Sequence, residues 1–154
     1  MSTFTKLAYH VVFSTKYRRP LIQAALEKRL YEYIGGIIRA QKGCLIEIGG
    51  IEDHIHLLVN LSPIKAISDT IRDIKANVSR WCNELPDQTS RFEWQAGYGA
   101  FTVSYSHLEA VTRYIQNQRE HHKTKTFEEE YIRLLELHDI EFEHRYLFEA
   151  EYHG

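Results

Sequence analysis

Apolar and polar positions change period several times along the chain, and each change predicts an element. Residues 3–15, TFTKLAYHVVFST, are rich in β-branched and aromatic side chains and stop at the basic turn KYRRP, which predicts a strand. Pro20 suits the first turn of a helix, and Leu21, Ile22, Ala25, Leu26, Leu30, Tyr33, Ile34, Ile37 and Ile38 recur at helical spacing as far as Gln41. A long amphipathic helix is expected there, weakened locally by Gly35-Gly36. Residues 44–61, CLIEIGGIEDHIHLLVNL, divide into two strands joined near Gly49 to Asp53, a hairpin. In its second strand Ile55, Leu57, Val59 and Leu61 alternate, while the opposite face opens with His54 and His56 before reverting to Leu58.

Ser62-Pro63 offers an N-cap followed by proline at the first helical position, and Ile64, Ile67, Ile71, Ile74, Val78, Trp81 and Cys82 mark a second long helix ended by Leu85-Pro86. The second half of WQAGYGAFTVSY (94–105) alternates like another strand. Ser106 with Glu109, and Thr126 with Glu129, have the spacing of capping boxes that start two further helices, HLEAVTRYIQNQREHH and FEEEYIRLLELHD. The order β-α-β-β-α-β followed by helices is that of an α+β, ferredoxin-like (split βαβ) fold: an antiparallel sheet with two long helices on one face plus C-terminal helices.

Composition narrows the class. With 154 residues, 44% of them hydrophobic and 26% charged, the chain suits one domain with a proper core. No apolar run approaches the roughly 20 residues that span a bilayer, and the start lacks a signal peptide's architecture, so a cytoplasmic protein is expected. Cys44 and Cys82 form no C-x-x-C pair and read as reduced structural thiols. Net charge is −2, too little for binding nucleic acid by bulk electrostatics, but it is unevenly spread. Residues 1–105 hold 13 Lys/Arg against 10 Asp/Glu, whereas 127–154 hold Arg133 and Arg145 against nine acids, so a polyanion should meet the first part.

The histidine pair then carries the chemistry. Side chains two apart on a strand lean the same way, with roots about 7 Å apart, so two neutral imidazoles can reach one cation. The plainer alternative is that both bond to carbonyls at a sheet edge. In RYIQNQREHH (113–122), Tyr114 and Gln118 lie four apart and share a helix face. A glutamine amide oxygen with two imidazoles suits Mg²⁺ or Mn²⁺ better than a closed zinc site. Tyr114 would stand beside such an ion, although tyrosine and glutamine at this spacing are more often an edge residue and a solvated one. His121 and His122 read as exposed. A tyrosine is a weak nucleophile unless its phenolate is stabilised, and a metal-assisted attack on a phosphodiester would leave a phosphotyrosine ester that conserves the bond energy.

The set His54-Ile55-His56, WQAGYGAFTVS and Tyr114 with Gln118 in YIQNQREHH resembles the single-tyrosine HUH (His-hydrophobe-His) transposases of small insertion sequences, the IS200/IS605-like family, from the first strand to about His138. The resemblance implies one HUH transposase domain over 1–154, with a ferredoxin-like core (1–105), a tyrosine helix (106–125), and a C-terminal helix with an acidic tail (126–154). It implies metal binding by His54, His56 and Gln118 (Mg²⁺ or Mn²⁺) and attack by Tyr114 on single-stranded DNA hairpins at element ends, leaving the DNA 5′ end on the tyrosine. It also implies a homodimer, in which the tyrosine helix of one subunit can serve the other's histidines.

DNA contacts are expected at Lys16, Tyr17, Arg18 and Arg19, where cations flank a stacking ring, and at Arg72, Lys75, Arg80 and Lys123. Any one of these alone reads equally well as a solubilising charge. Three rival functions remain open: a domesticated relative acting on repetitive palindromic DNA, a non-catalytic module binding single strands on its sheet, and a housekeeping metal-binding or interaction domain that leaves Tyr114 idle. The second has no use for His54, His56, Tyr114 and Gln118 together.

Overall fold

The computed structural model describes residues 1–148. Four strands, β1 (Ala8–Ser14), β2 (Cys44–Ile51), β3 (His54–Asn60) and β4 (Gly99–Thr102), form an antiparallel sheet in the order β2-β3-β1-β4. Helices α1 (Ala24–Ala40) and α2 (Ile67–Glu84) connect them in the split βαβ manner. Beyond the sheet come α3 (Leu108–Gln116), α4 (Gln118–His121), α5 (Phe127–Leu137) and α6 (His144–Leu147).

Period-2 alternation assigns the two faces. Val11 and Phe13 of β1 with Ile55, Leu57 and Val59 of β3 pack against Leu26, Leu30, Ile34 and Ile38 of α1 and Ile71, Ile74, Val78 and Cys82 of α2 in one core. Val12, on the opposite face, joins Phe101, Phe127, Leu134, Leu135 and Phe148 in a second. β3 is therefore buried on both faces, which is why His54 and His56 are sealed from solvent rather than set at a wet sheet edge. Gly49 makes the second layer possible. A Cβ there would stand 2.5 Å from the Ile115 carbonyl oxygen, so only glycine lets α3 lie directly on β2, and Gly49 is the register partner of His56.

Several predicted boundaries are corrected. β1 begins at Ala8, not at residue 3, and α1 begins at Ala24, because Ile22 N–H is taken by Glu52 carbonyl across the hairpin turn. Gly35-Gly36 does not interrupt α1, and Gly35 is buried in it. Ser62 accepts a bond from Ile64 N–H and makes a turn rather than the cap of α2, which starts at Ile67. Ser106 forms no capping box with Glu109. It bonds to Ser104 and His107 in a 3₁₀ turn, while Glu109 pairs with Arg113 at 2.8 Å. The box of Thr126 and Glu129 is present in full. The expected single helix over 107–122 is split at Asn117 (φ −97°, ψ 18°) into α3 and α4. The end of the acidic tail, with Glu149 and Glu151, lies outside the described residues. Among those described, no helix is long and apolar enough to cross a membrane.

Candidate active site

His54 and His56 open β3, facing the layer of α3, α4 and α5, and these three helices, with His122 directly after α4, deliver polar side chains to the same point. His54 Nε2 lies 3.0 Å from Gln118 Oε1 and 3.3 Å from Glu130 Oε1. His56 Nε2 lies 3.0 Å from the same Glu130 oxygen. His122 Nε2 meets Gln118 Oε1 at 3.0 Å and Glu130 Oε1 at 3.1 Å. The other carboxylate oxygen, Oε2, accepts from Tyr114 Oη–H and, at 2.9 Å, from the Gln118 amide. One buried glutamate thus ties the histidines, the glutamine and the tyrosine together within a single chain.

Each imidazole is also held from behind. Asp53 Oδ1 lies 2.7 Å from His54 Nδ1, His10 Nε2 lies 2.8 Å from His56 Nδ1, and the Lys125 carbonyl lies 2.8 Å from His122 Nδ1. Outer partners of this kind fix the rings of metal-ligating histidines and turn the remaining nitrogens inward. The ligand atoms of His54, His56, His122 and Glu130 all lie within 4.8 Å of one another. Three nitrogens, a carboxylate oxygen and the amide oxygen of Gln118 therefore converge where one divalent ion fits by donor type.

The charges agree with that reading. Burial alone would lower the pKa of His54, but its bonds to Asp53 and Glu130 outweigh this and raise it to about 9. His56, more deeply enclosed, is lowered by burial, and His10 falls to about 3 through burial and the neighbouring His56. Burial would raise Glu130, yet its bonds to His122, His54 and His56 hold it far below the usual carboxylate range. Burial and the Glu130 charge both push Tyr114 upward, so the phenol is protonated and donates.

Three of these residues went unnoticed in the sequence or were placed elsewhere. Glu130 occupies the apolar stripe of α5 between Phe127 and Leu134, and a charge at such a core position is a readable signal. His122 was expected to be exposed, yet its side chain is only 4% accessible. It stands four residues beyond Gln118, on the same side of the turn. His10 carries no local signal, since its partner His56 is 46 residues away.

The basic candidates separate into groups. Lys16, Tyr17 and Arg18 form a 3₁₀ turn directly after β1, with Tyr17 and Arg18 in the left-handed region (φ 57° and 52°). Lys16 Nζ and the Arg19 guanidinium stand 5.4 and 5.3 Å from the Tyr17 ring centre. Because Ser14 pairs with His54, this turn leaves the sheet beside the histidines. Lys16, Arg72 and Lys75 line one groove of about 570 Å³ with Arg91, Trp94 and Tyr98. Lys75 is committed within it, donating to the carbonyls of Gln95 and Gly97, and burial lowers its pKa to about 8. Arg80 bonds to Asn77 and Lys123 pairs with Glu120, and neither lines the groove.

Comparison with known proteins gives consistent results. The family described as "Transposase IS200 like" matches residues 3–118. The ISDra2 transposase TnpA of Deinococcus radiodurans is 27% identical over 121 residues, covering 75% of this chain and 86% of that protein. A crystal structure of a Deinococcus radiodurans chain assigned as a transposase superposes with a TM-score of 0.59 at 24% identity, covering 77% of this chain and 95% of the other. A REP-associated tyrosine transposase bound to a REP hairpin superposes with a TM-score of 0.57 at 15% identity, covering 76% and 72%. At these identities the two structures speak for the fold.

Proposed function

The chain belongs to the IS200-like transposase family, and from that premise we propose that it binds single-stranded DNA hairpins at element ends and cuts and rejoins the strand through Tyr114. The observation that carries this reading is the convergence of Tyr114 Oη, Gln118 and the His54/His56 pair on one carboxylate, Glu130. Tyr114 Oη passes its proton to the Glu130 carboxylate that it already bonds and forms a bond to phosphorus, the phosphorus to O3′ bond breaks, and the leaving 3′ oxygen takes up the proton. The 5′ phosphate stays on the tyrosine, and a later 3′-OH reverses the exchange without ATP. A divalent ion, Mg²⁺ or Mn²⁺, held by His54, His56 and Gln118 with His122 and Glu130 at hand, would supply Lewis-acid polarisation of the phosphate. Tyr114 is aimed by Glu130, Gln118 is oriented by the same oxygen, and Asp53 and His10 fix the two strand imidazoles.

In this reading residues 1–154 work as one domain, with 1–105 as the platform, 106–125 as the tyrosine segment and 126–154 as the C-terminal helix and acidic tail. A homodimer belongs to the same proposal, and within the single chain Tyr114 lies against its own subunit's histidines. The hairpin bound by the REP-associated relative supports a hairpin substrate for this chain too.

The deciding experiment incubates the protein with Mn²⁺ and single-stranded hairpin DNA from its genomic flanks. A covalent adduct that survives denaturation is expected, and it should vanish when the metal is chelated. A protein that shifts the DNA on a gel yet never becomes linked to it is a binder, and the catalytic reading fails. Neutralising Lys16, Arg18 and Arg19 together should weaken hairpin binding. It should also flatten the log–log salt dependence by about two, at roughly 0.7 per phosphate contact on single strands. An unchanged slope removes this turn from the DNA footprint.

A further inference from the structure

Tyr114 has two surroundings. One side of its ring faces the histidine cluster, and the other lines a cavity of about 1040 Å³ between the end of β4, α3 and α5. Its walls are mainly apolar, from Val103, Val111, Ile132 and Leu137, and His107 and Arg133 add polar edges. This is the volume and lining of a site for a small organic ring, larger than any packing defect.

The catalytic reading places a phosphate at Tyr114 Oη, and every such phosphate carries a nucleoside on each side. His54 and His56 are buried behind Glu130, which with His10 and His121 forms the inner wall of the cavity. The open cavity is where one of those nucleosides can go. Its charges favour the base over the backbone: Glu129 and Glu136 on the lining offset Lys125 and Arg133, which disfavours a phosphate inside but suits a neutral heterocycle bearing both donors and acceptors. His121 Nε2, on the lining, is screened from solvent and makes no hydrogen bond among the described residues, with Glu130 Oε2 3.5 Å away as its nearest charged neighbour.

We infer that this cavity is a specificity pocket for one unpaired nucleobase, the one adjoining the phosphate that Tyr114 attacks; this rests on the catalytic reading above. The largest share of its lining comes from α5, which lies beyond residue 118, where the family match ends. The pocket would therefore give this chain a base preference of its own, independent of hairpin recognition.

The test combines filled pockets with missing bases. Val111→Trp fills the cavity, and Leu137→Trp narrows its rim at a residue 59% exposed, where folding is not at stake. Single abasic sites are walked through the strand flanking the cleavage point. With the wild type, one flanking position should lower adduct formation about tenfold or more, the scale of losing one bound base, and its neighbours should not. Each tryptophan variant should lose a similar factor on intact DNA, keep hairpin affinity within about twofold, and show no further loss on the DNA lacking that base. A flat abasic walk, or tryptophan variants that link intact DNA at the wild-type rate, overturns the pocket while leaving the catalytic reading standing. A wild type that forms no adduct with any hairpin overturns both.

Discussion

Tyr114→Phe is expected to abolish the covalent adduct, a loss of at least about 10⁴-fold in linkage rate, while hairpin affinity stays within about twofold. The size follows from chemistry: phenylalanine keeps the ring and its contacts with His10, His56 and His121 but removes the only atom able to bond to phosphorus. Stability should fall modestly. The lost interaction is a hydrogen bond from Tyr114 Oη to the ionised Glu130, of a kind that contributes about 1.5–3 kcal/mol, and Glu130 keeps its other partners. Thermal melts and gel shifts on the variant therefore separate the chemical role from a structural one. A Tyr114→Phe protein that still becomes covalently linked to DNA would move the nucleophile to another residue and end the present assignment.

The sequence made the platform legible because its elements obey a single period each. Val11 and Phe13, Ile55 and Leu57, and the stripes of α1 and α2 all declare their buried face without reference to distant partners. Boundaries went astray where local polar chemistry had two solutions. Ser62 and Ser106 both have the spacing of helix caps, and both instead close turns just upstream of the helix. His54, His56, Tyr114 and Gln118 could be singled out by spacing, and the fold brings them to one point. Glu130 could not be derived as their common partner, because it lies 74 residues from His56 and only the packing of α5 on the sheet joins them. A charged residue inside an otherwise apolar stripe was the available hint, and the neighbouring capping glutamate, Glu129, drew it away.

Glu130→Gln should produce the largest change in stability, and its effect should depend on metal in a defined way. The Glu130 carboxylate is 1% exposed and faces His54, His56 and His122 at 3.0–3.3 Å. Removing one partner from a buried charged cluster costs about 3–5 kcal/mol. For a chain of this size that is a fall in Tm of roughly 10 °C. The pH dependence has two limits. His54 is raised to about 9, so its contribution is complete below the ordinary histidine value and is lost as pH rises through 9. Glu130 is depressed, so its contribution is present above the ordinary glutamate value and is lost as pH falls. The chelated wild type should thus be most stable between these limits, and Glu130→Gln should flatten the profile across them. Mn²⁺ should then stabilise the wild type by mass action but the variant less, by about 1.4 kcal/mol for each tenfold loss of affinity. A loss of 10- to 100-fold or more is expected, since even an outer partner of a metal site has an effect of that order. If the variant melts with the wild type in chelator and gains as much from Mn²⁺, then α5 only covers the site, and the ion, if held there at all, is held by His54, His56 and Gln118 without it.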